Sequence, residues 1–241
     1  MSRQYTCLTG CTGETNPARR LNTVRLLQKG HSMSELTDAL EKLSRQFDRK
    51  GLHTMERMHP GLSRADIAEL TKSLPFALPE AAVELFEWRN GFRGFATAKE
   101  VVPADFFEGY RPMTLQHAIE FYFMAVKSFS ESYRSHWFPL FKEGGGSVYC
   151  IDCAEEIGTI WDYDLNPSSE EEEFGLLAFR SLTKMITTII VCYEQDAYYW
   201  NDKGDFEIDF DKSADIAFQE NPDAEYWKFR AGYWKISAAQ G

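Results

Sequence analysis

No stretch of the chain is apolar for long enough to cross a bilayer. The strongest late run, Met185–Cys192, falls far short of the roughly 18–20 residues a membrane helix needs. The first 30 residues also lack the continuous apolar core of a secretion signal. Cysteine is sparse and odd in number, at Cys7, Cys11, Cys150, Cys153 and Cys192. That usage argues against a disulfide-built scaffold and for a reducing, cytoplasmic setting. The five histidines, His31, His53, His59, His117 and His136, form neither an H-E-x-x-H helix nor another close ligand run. A G-x-S-x-G nucleophile elbow is missing, and the triplet Gly144-Gly145-Gly146 leads into Ser147 rather than the Gly-Lys-Ser/Thr of a phosphate loop, so it reads as a turn. Positive charge is in deficit. With 26 Lys and Arg against 37 Asp and Glu, the formal charge is −11. This balance disfavours nucleic acid and anionic membranes, and favours small-molecule, peptide or basic protein partners.

What remains is an ordinary globular composition, 241 residues with 44% apolar and 15% aromatic side chains, able to bury a core. Charge is uneven along it. Residues 1–60 hold ten Lys or Arg and six Asp or Glu, a net of +4, which leaves 16 against 31 for the rest. The acidity therefore belongs to the body. Residues 1–32 mix Thr, Gly, Asn and Arg without a core-facing period and read as a flexible or extraneous extension, with Met33 as an alternative start. From there Leu36, Leu40, Leu43 and Phe47 make one stripe of an amphipathic helix.

Ser63 is placed to cap a second helix containing Ile67 and Leu70, with Asp66 returning a hydrogen bond. Pro79 fits the first turn of a third helix, whose apolar side is Ala82, Leu85 and Phe86 and whose expected stop is Asn90-Gly91. A longer helix lined by Ile119, Phe123, Val126 and Phe129 follows. Three strands are expected at Trp137–Phe141, Ser147–Asp152 and Ile157–Tyr163, punctuated as an antiparallel meander. Ser181 is expected to cap a core helix with Leu182, Ile186, Ile189 and Tyr193 on one side. Phe206, Ile208 and Phe210 alternate with Glu207, Asp209 and Asp211, which predicts a strand with one buried and one acidic face. Asn221-Pro222-Asp223 fits the start of a last helix. Without a βαβ rhythm the class is α+β: one domain at 33–241, a central antiparallel or mixed sheet flanked by N-terminal and C-terminal helices, and an insertion around 96–136.

Candidates for chemistry are few. Cys150-Ile151-Asp152-Cys153 has the spacing of half a zinc site, but residues three apart on a strand point to opposite faces, so the pair diverges unless a turn begins at Asp152. The acidic run Asp202–Asp211 places its glycine third rather than at the position a calcium loop requires. No catalytic residue, metal ligand set or cofactor is expected. Candidate partner-binding residues are Glu170, Glu171, Glu172 and Glu173, together with Glu207, Asp209 and Asp211, whose field attracts a cationic surface.

In order along the chain, a helix at Leu62–Leu74, the step Leu78-Pro79, and Val83 to Trp88 leading into Asn90-Gly91 are followed by Trp137-Phe138-Pro139-Leu140. A Gly-rich turn ending at Gly146 then leads to Val148–Asp152, Gly158-Thr159-Ile160-Trp161, and an Ala178-to-Leu182 element in which Ser181 opens a helix. This succession resembles the SUKH superfamily, which includes fungal cell-wall assembly regulators and bacterial immunity proteins against polymorphic or contact-delivered toxins. The resemblance spans about residues 62–193. It departs from the family's pattern in having Gly146-Ser147 where Gly-Asp is commoner, and in the long segment Ala96–His136. It implies an α+β fold and an inhibitor that docks on a toxin, commonly a basic nuclease, without performing chemistry; a non-enzymatic regulatory scaffold is the other role it implies. The pattern residues Leu78, Pro79, Trp88, Asn90, Gly91, Trp137, Pro139, Gly146, Asp152, Gly158 and Ser181 are then expected mainly to maintain the fold.

Overall fold

Serine caps set the first boundaries of the chain. The computed structural model describes residues 34–93, 106–165 and 175–230, all within the unit Met33–Gly241. Helix α1 (Glu35–Arg49) begins where Ser34 Oγ accepts the Thr37 N–H at 3.0 Å. Its stripe Leu36, Leu40, Leu43 and Phe47 is buried. A short strand β1 (Met58–Pro60) precedes helix α2 (Arg64–Leu70), which Ser63 caps through the Asp66 N–H at 3.1 Å. Ile67 enters the core, whereas Leu70, expected beside it, is 41% exposed.

Helix α3 (Glu80–Trp88) buries Ala82, Leu85 and Phe86. Its end differs from the sequence expectation. Asn90-Gly91 does not terminate the helix; Arg89 is already extended, and both residues lie in strand β2 (Arg89–Phe92), antiparallel to β1. The reason is tertiary. Gly91 has φ +69°, and a Cβ there would lie 2.4 Å from the backbone of Met113 and Thr114. Asn90 Oδ1 accepts the Leu115 N–H at 2.8 Å, so the pair seats the start of helix α4 (Leu115–Ser128).

The main sheet has five antiparallel strands in chain order: β3 (Arg111–Pro112), β4 (Trp137–Lys142), β5 (Val148–Asp152), β6 (Ile160–Tyr163) and β7 (Gly175–Phe179). Residues 106–128, which fall inside the expected insertion, thus supply an edge strand and a core-lining helix. In α4 the buried side is Leu115, Ala118, Phe121, Tyr122 and Ala125. The stripe predicted from Ile119, Phe123, Val126 and Phe129 is rotated from this face, and Phe123 is 44% exposed. In a helix this rich in aromatics the periodicity admits more than one phase, and packing of Tyr122 against Phe76 and Phe138 selects it. Strand β6 starts at Ile160 rather than Ile157, because Gly158 turns the chain at φ +67°, where a Cβ would lie 2.7 Å from the Ile151 side chain.

Helix α5 (Leu182–Glu194), capped by Ser181 through the Lys184 N–H at 3.1 Å, buries Leu182, Ile186, Ile189 and Tyr193 as the spacing predicts. It packs on α1, with the rings of Phe47 and Tyr193 edge to face at 5.5 Å. The hairpin β8 (Tyr198–Trp200) and β9 (Phe206–Ile208) leads into helix α6 (Phe210–Glu220). Asn221, expected to open the last helix, instead closes α6: its backbone N–H reaches Ala217 O and its Nδ2 donates to Ala217 O and Thr188 Oγ1. Helical conformation resumes at residues 225–230. The fold is α+β with a wholly antiparallel central sheet.

Candidate partner-binding surface

The acidic residues singled out from the sequence do not share one strand face. Glu170–Glu173 lie outside the described residues. Glu207 is in β9 and exposed. Asp209 and Asp211 are not strand residues: Asp209 Oδ1 accepts the Lys212 N–H at 2.9 Å and caps α6, and Asp211 stands in the first turn of that helix. Alternation therefore stops at Ile208, since a carboxylate at a helix start satisfies an otherwise orphaned N–H and complements the helix dipole.

The hairpin and the start of α6 nevertheless gather charge. Residues 201–211 hold Asp202, Asp205, Glu207, Asp209 and Asp211 against the single cation Lys203, and all five carboxylate residues are exposed. Glu207 is held in place: Asn201 Nδ2 donates to its Oε1 at 2.6 Å and the Tyr199 hydroxyl to its Oε2 at 3.1 Å. The hydrogen bond to Glu207, with its negative charge, raises the Tyr199 phenol above its ordinary pKa. Asn201 Oδ1 also accepts the Lys203 and Asp205 N–H groups, both at 2.9 Å, which fixes the turn.

Trp200, overlooked in the sequence, is 43% exposed beside these carboxylates. Its indole N–H donates to Lys50 O at 2.6 Å and its ring meets Phe206 at 5.3 Å, so the exposed aromatic is positioned rather than loose. Alternation alone gives no sign of this, because Trp200 donates its hydrogen bond to the end of α1, 150 residues away. A positioned, exposed ring on the same hairpin as the held Glu207 carboxylate suits a cationic, partly apolar protein surface.

The residues of the ordered pattern lie at turns, caps and ring contacts. Leu78 packs against the core, and Pro79 occupies the N-cap of α3. Trp88 meets Phe106 edge to face at 6.2 Å. Trp137 is 1% exposed and stacks on Trp161 at 5.3 Å, with the Arg134 guanidinium 5.0 Å and 4.8 Å from the two rings. Pro139 sits where the β4–β5 register shifts, and Gly146 turns at φ +122°. Asp152 is buried; its Oδ1 accepts the Ala154 N–H at 2.8 Å and its Oδ2 lies 3.5 Å from His136 Nε2.

Cys150 is buried with its sulfur 3.6 Å from the Tyr133 hydroxyl, while Cys153 follows the strand end and points to Ile151 O at 3.8 Å. Cys7 and Cys11 lie outside the described residues. No group of three or more His, Cys, Asp or Glu side chains able to hold a metal occurs among the described residues. A groove of about 300 Å³ between α1 and α5 is lined by Ala39, Thr187, Ile190 and Val191 with Glu35, Asp38 and Lys42. Lys42 is already paired with Glu194 at 2.9 Å. No helix among the described residues is long and apolar enough to cross a membrane.

A search of curated proteins returns no match to the chain. The model of the SMI1 / KNR4 family (SUKH-1) matches residues 61–188, more than half of the sequence, from the turn before α2 to within α5. With that match and the α+β architecture together, the chain belongs to the SMI1 / KNR4 family (SUKH-1).

Proposed function

We propose that the chain is a cytoplasmic immunity protein that binds a cognate polymorphic or contact-delivered toxin and neutralises it by occlusion, without chemistry of its own. The observation that carries this reading is the β8–β9 hairpin with the start of α6, where residues 201–211 carry five exposed carboxylate residues against one lysine and Glu207 is held by Tyr199 and Asn201. Such a field speeds encounter with a basic domain and disfavours nucleic acid, so the partner is a basic toxin domain such as a nuclease. Glu170–Glu173 extend the acidity in sequence.

Co-expression with the toxin encoded beside this gene tests the reading. Rescue of growth together with a purified complex is the expected outcome; failure of both with every neighbouring toxin overturns it. The match to the SMI1 / KNR4 model also favours a second role, a non-enzymatic regulatory scaffold. Gene neighbours distinguish the two, because wall or signalling genes accompany a scaffold and a large modular toxin gene accompanies an immunity protein.

A further inference from the structure

Helix α4 buries one side and leaves the other open. Its outward stripe is Gln116, Glu120, Phe123, Met124 and Lys127, all exposed and spaced to share one helix face. Phe123 is 44% and Met124 39% exposed. Solvation favours polar residues on that side, so two large apolar side chains next to each other there mark a contact surface. The Phe123 ring is positioned rather than loose. It stands edge to face on Tyr122 at 5.2 Å, and Tyr122 is held by the Phe76 ring at 5.3 Å and by donating its hydroxyl to Ser135 O at 2.9 Å. A ring presented in this way loses less freedom when another surface covers it.

The charges that flank the two apolar residues say what covers them. Glu120 lies three residues before Phe123, and Lys127 three residues after Met124. The stripe is thus symmetric in position and opposite in sign about the midpoint of Phe123 and Met124. Its two charges stand about 10 Å apart along the helix axis, too far to pair with each other. Within the helix Glu120 accepts Gln116 Nε2 at 3.4 Å, at the long limit of a hydrogen bond. A second α4 laid antiparallel across the first, on a two-fold axis through that midpoint, brings Glu120 of each copy to Lys127 of the other. The same operation brings Phe123 of each copy to Met124 of the other, so two ion pairs and two sulfur–ring contacts form together. Because one Glu and one Lys cancel, this face meets its own copy without local like-charge repulsion, although the chain carries −11. A basic partner domain gains nothing from a balanced face and is attracted instead by the carboxylates of residues 201–211.

We propose that α4 is a self-association surface on which a second copy of the chain docks antiparallel, with Phe123 and Met124 at the centre and two Glu120–Lys127 pairs at the rim. With one helix face from each copy, the contact belongs to the small, transient class of interfaces. It is independent of the partner that the hairpin takes.

Sedimentation equilibrium of the full chain, over a concentration series reaching the millimolar range, tests it. A reversible monomer–dimer equilibrium is expected. Phe123→Glu is expected to weaken it by about tenfold or more, since a charge then stands at the centre of the contact. Glu120→Lys and Lys127→Glu, each alone, set like charges opposite one another and are expected to weaken it by about tenfold. An equimolar mixture of those two single variants is expected to regain the dimer as a heterodimer, because every rim contact is again of opposite sign. A chain that stays monomeric throughout the series, a dimer indifferent to Phe123→Glu, or a mixture no more dimeric than its two components overturns the proposal. So does a monomer whose Phe123 and Met124 become shielded from oxidative labelling only in a toxin complex, which assigns the face to that partner.

Discussion

Asn90, in the middle of strand β2, supplies through its side-chain oxygen the acceptor for the backbone N–H of Leu115, the first residue of α4, at 2.8 Å. A two-stranded element thereby fixes where a core helix begins. Replacing Asn90 with Ala leaves that N–H without its partner and is expected to cost about 1–2 kcal/mol. Chemical denaturation reads this as a lower midpoint with an unchanged slope, and Asn90→Asp is expected to recover most of the loss.

Gly91 is a sharper case. Its φ of +69° and the 2.4 Å approach of a Cβ to the backbone of Met113 and Thr114 leave no room for a side chain. Gly91→Ala is expected to destabilise the chain by about 3 kcal/mol or more, since a disfavoured conformation and a backbone displacement act together. Gly144, whose Cβ would meet nothing within 4 Å, is the control and is expected to tolerate the same change. Thermal unfolding of the two variants side by side makes the comparison.

Global stability is expected to fall as pH rises from about 4 to about 7. In that window the folded chain keeps the Asp162 proton that the unfolded chain releases near 3.8, so the native state binds more protons and the unfolding free energy declines with pH. The Asp162 share is at most about 4 kcal/mol, from about three pKa units at about 1.4 kcal/mol each. Asp162→Asn keeps an acceptor for Tyr110 and is expected to flatten this part of the profile, raising stability at pH 8 relative to the unmodified chain.

Charge reversal separates binding from folding at the hairpin. Asp202→Lys with Asp205→Lys is expected to leave the unfolding midpoint nearly unchanged, since both sites are exposed. Association with a basic partner domain is expected to slow by about tenfold at low salt, with a weaker dependence of the rate on ionic strength. Stopped-flow association over a salt series measures both.

Cys150, Cys153 and Cys192 are expected to resist alkylation at pH 8 in the folded protein and to react fully once it is unfolded. Desolvation raises all three thiols, Cys153 and Cys192 to about 12, so little thiolate is present. Peptide mass mapping after iodoacetamide treatment distinguishes the sites.

The elements that were legible in the sequence are those whose determinants are local. Ser63 and Ser181 announce their helices because a cap is satisfied within three residues. The stripes of α1 and α5 were legible because each has one apolar phase. Asn90-Gly91 was misread because the conformation of Gly91 answers to Met113 and Thr114, more than twenty residues away. In α4, aromatic residues on several sides hid the buried face. The acidic strand was shortened by a capping contest at Asp209 that alternation does not register, and Trp200 became visible as a surface feature only once the end of α1 came to hold it. Glu108 with Arg230 and Tyr110 with Asp162 each join residues far apart in the chain, so no spacing could have announced them.

The five-stranded sheet is laid down in the order of synthesis, β3 beside β4 and so on to β7. Each strand can therefore pair with the one made just before it, at small loop-closure cost. Contact between Phe47 and Tyr193 spans most of the body and must wait for α5. While the chain emerges from the ribosome, the part of the α1 stripe that α5 will cover stays exposed. Chaperone demand should therefore fall on α1, and it should end when α5 arrives.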